Sequence, residues 1–170
     1  MSNRRIGAVA LDVGRKRIGV AVCDPAGEVA TALTVVQRRG TRKDIRVIIN
    51  ELGKRRFDAW VVGLPTASEQ DSSMHNTARR FAQTLAATDD RPVWLVDEAM
   101  TSAQAHDELR MLGLRQARRQ QVVDKVAAKL ILDRWLAGAT AEMVVTADLA
   151  AVHKTTAHEA STDDAMDDSQ

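Results

Sequence analysis

The chain predicts an α/β fold: a five-stranded mixed sheet, three antiparallel strands and then two parallel ones, flanked by helices. Three observations carry that expectation. Short apolar runs separated by turn residues fill the first 37 positions. Beyond them, segments of helical period alternate with short apolar runs. The six residues from Asp12 to Arg17 leave no room for a helix between the first two strands, so those two must pair antiparallel.

Taken in order, residues 5–13, 17–24 and 28–37 read as strands, divided by a turn at Gly14 and a second at Asp24-Pro-Ala-Gly27. Thr41 to Lys54 reads as a helix, because Ile45, Ile48, Ile49 and Leu52 fall at i, i+3, i+4 and i+7. Asp58 to Gly63 is a short buried strand stopped by Gly63-Leu-Pro65, and a polar loop leads into a helix from Met74 to Ala87. Pro92 to Glu98 is the fifth strand. Thr101 or Ser102 can cap a helix running to Leu112, which Gly113 ends. A basic link containing Arg115, Arg118 and Arg119 then precedes a long helix from Gln120 to Leu136, with Gly138 as its C-terminal cap. This order of elements is the ribonuclease H-like arrangement. Residues 1–150 form one domain, and residues 151–170 form a small, polar, acidic tail without the apolar content to order itself.

Composition narrows the functional classes. The chain is 45% apolar and 28% charged, as expected of a globular protein. It has no apolar stretch of membrane-spanning length and no signal-peptide pattern. A single cysteine, Cys23, excludes an internal disulfide and fits a reducing cytoplasm. The net charge of +1 conceals a segregation: residues 1–56 hold thirteen Lys and Arg against five Asp and Glu, residues 57–109 three against nine, and residues 110–134 seven against two. Two basic blocks around an acidic middle suit a phosphate-binding rim around a carboxylate site.

Three carboxylates stand out. Asp12 lies in an apolar strand, where an unpaired buried charge costs several kcal/mol and demands a partner. Strand alternation puts it on the face of Ala8 and Ala10, away from Val9, Leu11 and Val13. Glu98 ends the last strand, at the carboxyl edge where open α/β sheets place their sites. Asp124 precedes Ala127, Ala128 and Ile131 by three, four and seven residues, and the two alanines would let that helix approach the sheet closely. Taken singly, each acid has an ordinary structural reading as a turn cap, a helix-terminus acid or a surface partner of a nearby cation. Together they would make an all-oxygen site suited to Mg²⁺ or Mn²⁺ and not to zinc.

At these residues the chain resembles the YqgF/RuvX family of small RuvC-like nucleases. Four blocks carry the resemblance: Leu11-Asp-Val-Gly-Arg-Lys-Arg-Ile-Gly-Val-Ala-Val22, Val61-Val-Gly-Leu-Pro65, Val96-Asp-Glu-Ala-Met-Thr-Ser102, and Val123-Asp-Lys-Val-Ala-Ala-Lys-Leu-Ile-Leu132. The first and last are specific in combination. The resemblance implies a metal-dependent phosphodiesterase with Asp12, Glu98 and Asp124 at its acidic positions. It also implies a role in trimming the 5′ end of precursor 16S ribosomal RNA or in cleaving Holliday junctions. The chain departs from the family at three places. Thr66 to Ser73 replaces an Asn- and Gly-containing loop, Ala99 stands where an Arg usually follows the Glu, and Ala127 stands where related enzymes often carry a fourth acid.

Lys16, Arg17, Arg118 and Arg119 are the candidates for holding backbone phosphates. Aromatic residues make up 3% of the chain and Tyr is absent, so recognition should read shape and backbone more than stacked bases. An ATPase of the actin and hexokinase kind shares the Asp-x-Gly hairpin, but it closes a second domain over its nucleotide, which 170 residues do not supply. A nucleic-acid-binding module that has lost catalysis is the other rival, and the presence of all three acids argues against it. Symmetric junction resolution requires two active sites and hence a homodimer, whereas RNA trimming does not.

Overall fold

The computed structural model describes residues 7–65, 72–97 and 116–144, with the side chains of the last helix described from residue 125 onward. Strands β1 (Ala8–Val13), β2 (Arg17–Cys23) and β3 (Ala30–Gln37) form the expected antiparallel meander. Helix α1 (Thr41–Leu52) follows, then β4 (Ala59–Leu64), α2 (Ser72–Ala86) and β5 (Val93–Asp97). A long helix, α3 (Gln116–Leu136), leads to a three-residue strand, β6 (Ala141–Met143). Strands β4 and β5 run parallel to β1, and the order across the sheet is β3-β2-β1-β4-β5-β6.

Two expectations are corrected. The sheet has six described strands where the sequence predicted five, because β6 adds antiparallel to the edge of β5. Also, α3 begins at Gln116, so Arg118 and Arg119 belong to its first turns and not to a link. Gln, Ala and Arg are good helix formers, and no Gly or Pro lies between Gly113 and the apolar stripe to stop the helix from extending backward. Its other end is as predicted. Gly138 has φ 85° and donates to the Trp135 carbonyl at 3.0 Å, while Ala139 donates to that of Arg134 at 3.0 Å. The expected helix at 101–112 and the expected tail at 151–170 lie outside the described residues.

The sheet separates two cores. Its odd-numbered β1 face, Val9, Leu11 and Val13, joins Ile18, Val20, Trp60, Val62, Val93 and Leu95 under Ile45, Ile48 and Leu52 of α1 and Phe81 and Leu85 of α2. The opposite face is built from small residues, Ala8, Ala10, Ala21 and Ala30, with Val61 and Val96, packed by Ala128, Ile131 and Leu132 of α3. Period-two alternation on the strands and period-3.6 spacing on the helices generate both faces from one chain.

Candidate active site

Asp12 is the half-buried last even-numbered residue of β1, on the face of Ala8 and Ala10 that α3 covers. Its antiparallel partner across β2 is Gly19, which adds no side chain directly opposite the carboxylate. On β4, Val61 pairs with Ala10 and shares its face, and Gly63 two residues on returns to that face opposite Val96 of β5. Glycines on both neighbouring strands thus leave room around Asp12 while the strands themselves stay rigid. The periodicity that predicted its face is confirmed.

The turn after Asp12 is tightly held. Gly14 N–H donates to the Arg17 carbonyl at 2.9 Å, and a Cβ at Gly14 would sit 2.9 Å from that same oxygen, so the turn requires glycine. Arg17 lies two residues before Gly19 and therefore on the Asp12 face, half-buried, whereas Lys16 is exposed at the tip. Arg15 reaches across to the start of α2, its guanidinium 3.3 Å from both the Ser73 hydroxyl and the Met74 sulfur.

A buried ion pair missed by sequence reasoning anchors this turn from below. Asp44 of α1, only 1% exposed, accepts from Arg38 Nε at 3.1 Å and from Arg39 N–H at 2.8 Å. Arg38 in turn donates from Nη1 to the Gly14 carbonyl at 3.0 Å, and its own N–H donates to the Lys16 carbonyl at 2.9 Å. The charge-assisted network joins the end of β3, the start of α1 and the basic turn into one unit. The available signal was an acid in register with the apolar stripe: Asp44 stands one helical turn before Ile48.

The other sequence-predicted residues divide by position. Asp124 lies in α3 four residues before Ala128 and seven before Ile131, the spacing of the stripe that packs on the Ala8–Ala10 face. Arg118 and Arg119 lie in the first two turns of the same helix, and the side chains of all three are outside the described set. Glu98 lies outside the described residues, directly after the end of β5. Among the described residues no three His, Cys, Asp or Glu side chains cluster, and Asp12 is the one candidate acid whose side chain is described. Burial pushes the Cys23 thiol up from its ordinary value, and the Ala8 N–H that donates to its sulfur at 2.9 Å acts in the opposite direction.

A family model described as RuvX, Holliday junction resolvase, matches residues 7–138, which contain every one of these positions. The chain belongs to the RuvX family. Proteins named as pre-16S rRNA nucleases are close in sequence: that of Picosynechococcus sp. is 40% identical over 134 residues, covering 77% of this chain and 92% of that protein. The one from Trichormus variabilis is 41% identical over 134 residues, covering 77% and 87%. Among solved structures, T. thermophilus RuvC in complex with a Holliday junction substrate superposes with a TM-score of 0.51 at 18% identity, over 81% of this chain and 99% of that one. The likeness shows the fold, and the RuvX chain shares it with a RuvC-type enzyme. No helix among the described residues is long and apolar enough to cross a membrane.

Proposed function

We propose that this RuvX protein is a divalent-metal-dependent nuclease that hydrolyses phosphodiester bonds, with Asp12, Glu98 and Asp124 as its acidic residues. The observation that carries the reading is Asp12 itself: a half-buried carboxylate at the end of a rigid strand, between Gly19 and Gly63, on the sheet face that α3 covers. Two further placements support it. Val96 faces α3, and position 98 is the next of that parity; position 124 is one helical turn before Ala128, whose side chain is fully buried in the same cluster as Ala8 and Ala10.

Hard carboxylate oxygens suit Mg²⁺ or Mn²⁺, and Asp12 at its glycine-flanked position fits such an ion. A divalent ion held there supplies Lewis acidity toward water and toward phosphate oxygens. The chain's own residues do the rest. Asp12 fixes the site on a strand that pairs on both sides, so its position does not drift as substrate enters. Arg17, on the same face, places positive charge beside the phosphodiester, and Lys16 at the turn tip meets the flanking backbone. Arg118 and Arg119 add cations from the first turns of α3.

The substrate we favour is precursor 16S ribosomal RNA at its 5′ end, in ribosome biogenesis in the cytoplasm, because the relatives that cover most of this chain carry that name. A second reading, resolution of four-way DNA junctions in recombination and repair by a homodimer, is favoured by the family's own description. The test is cleavage of a labelled 5′-extended 16S precursor RNA and of a labelled four-way DNA junction, with and without Mg²⁺ or Mn²⁺, beside the mass in solution. Metal-dependent trimming of the RNA is the expected result. Paired symmetric nicks in the junction by a dimer would favour the second reading. Binding of both substrates without cleavage under any divalent ion would overturn the enzyme and leave a binding module.

A further inference from the structure

We infer that the outer face of α1 is a second nucleic-acid-binding surface, which engages the substrate backbone on the side of the sheet opposite α3. The inference rests on the nuclease reading for its partner and on separate residues for its evidence. Helix α1 exposes Arg42, Lys43 and Arg46, and Arg39 precedes it, also exposed. Arg42 and Arg46 are one helical turn apart on one line, and Lys43 borders the same line. None of these four side chains makes an ion pair among the described residues. The nearest acid, Asp44, is buried and already engaged by Arg38, and the other acid of the helix, Glu51, lies at its far end.

The charges also stand where the helix itself disfavours them. The positive end of the helix dipole lies at the first turn, which prefers acids, yet Arg42 and Lys43 occupy it exposed to solvent. The N-terminal cap is Gly40, which offers no side-chain acceptor, and the one acid of the first turn, Asp44, is buried and engaged by Arg38 and the Arg39 N–H. A polyanion passing the helix would meet the exposed cations. The Arg38–Asp44 network fixes the start of α1 directly to the Gly14–Arg17 turn, so the exposed cations run from Lys16 through Arg39 to Arg42, Lys43 and Arg46 without a change of rigid body. The groove of about 290 Å³ between α1 and the edge strand β3 is lined by Arg39 and Lys43 together with Asp44 and Glu51, so the excess of positive charge lies on the outer line of Arg42 and Arg46. With α3 on the other face, the strand edge that bears Asp12 lies between two basic helices, an arrangement for a folded or branched backbone rather than a short linear strand.

The experiment compares the full-length protein with its R42Q/K43Q/R46Q variant and with the charge-preserving R42K/K43R/R46K variant. Binding to a labelled four-way DNA junction, to a structured RNA and to a short single strand is followed as a function of salt. The Gln variant should lose roughly tenfold or more in affinity for the two large probes at low salt, and its salt slope should fall by about 2 to 3, the contribution of three phosphate contacts. The short strand should bind almost as before, the charge-preserving variant should keep the wild-type slope, and the Tm of the Gln variant should hold or rise. An unchanged slope for the large probes, or an equal loss on the short strand, would overturn the inference. Binding that shows the predicted slope change in a protein that cleaves nothing would sink the nuclease reading and leave this surface standing.

Discussion

The two faces of the sheet are made differently, and the difference separates stability from chemistry. Under α1 and α2 the core is bulky: Trp60, Phe81, Leu11, Ile18, Ile45, Ile48, Leu52 and Leu85 are almost wholly buried. Each such side chain contributes about 1.5–3 kcal/mol by leaving water. Under α3 the strands contribute alanines, and the helix meets them with Ala128, Ile131 and Leu132. That face removes less apolar area per residue but brings helix and sheet backbones close together, and Asp12 stands on it. One face therefore supplies the rigidity, and the other spends packing volume on proximity.

Three changes bear on that contrast, in falling order of effect. Phe81→Ala removes a large ring from the bulky face and should cost about 3–5 kcal/mol in chemical denaturation, with cleavage per folded molecule little changed. A collapse of kcat in the folded fraction would show that the two faces are not separable. Ala128→Leu overfills the close-packed face and should cost about 1–3 kcal/mol, while lowering cleavage more than that loss of folded protein explains, because α3 is pushed off the strands that carry Asp12. Denaturant melts and single-turnover rates on the same sample decide this. Asp24 is the control that belongs to neither face. In the β2–β3 turn its carboxylate accepts from Val29 N–H at 2.8 Å and from Glu28 N–H at 2.6 Å, which holds its pKa below the ordinary 3.8. Its contribution to stability is therefore present above pH 3.8 and lost as the pH falls through the lower folded value. Asp24→Asn should lower stability slightly at neutral pH and match the wild type in strong acid, with cleavage unaffected. A stability difference that persists at the acid end would contradict that origin.

Much of this was legible because it depends on short-range periodicity. Alternation through Ala8, Ala10 and Asp12 fixes the face of the acid, and the spacing of Ile45, Ile48 and Leu52 fixes the buried side of α1. What escaped depends on how one segment pairs with another, which spacing within a segment does not reveal. Gly19 becomes the partner of Asp12 only through the register that the Gly14 turn imposes. Arg38 and Asp44 look like surface charges until β3 and α1 bring them together beneath the turn. Strand β6 has three residues, Ala-Glu-Met, too few to alternate, and forms because α3 delivers it to the open edge of β5. The proposed convergence of Glu98 and Asp124 on Asp12 would depend on such pairing too, across most of the chain.

Asp12→Asn tests the account most directly, because it removes one charge and almost no volume from the residue on which the site is built. Metal-dependent cleavage should fall at least about a hundredfold, as expected when an interaction of several kcal/mol with a catalytic ion is lost. The Tm measured in chelator should hold, and the rise in Tm on adding Mn²⁺ should shrink relative to the wild type. Retained cleavage together with a marked fall in Tm in chelator would make Asp12 a structural residue of the β1–β2 turn and contradict the assignment.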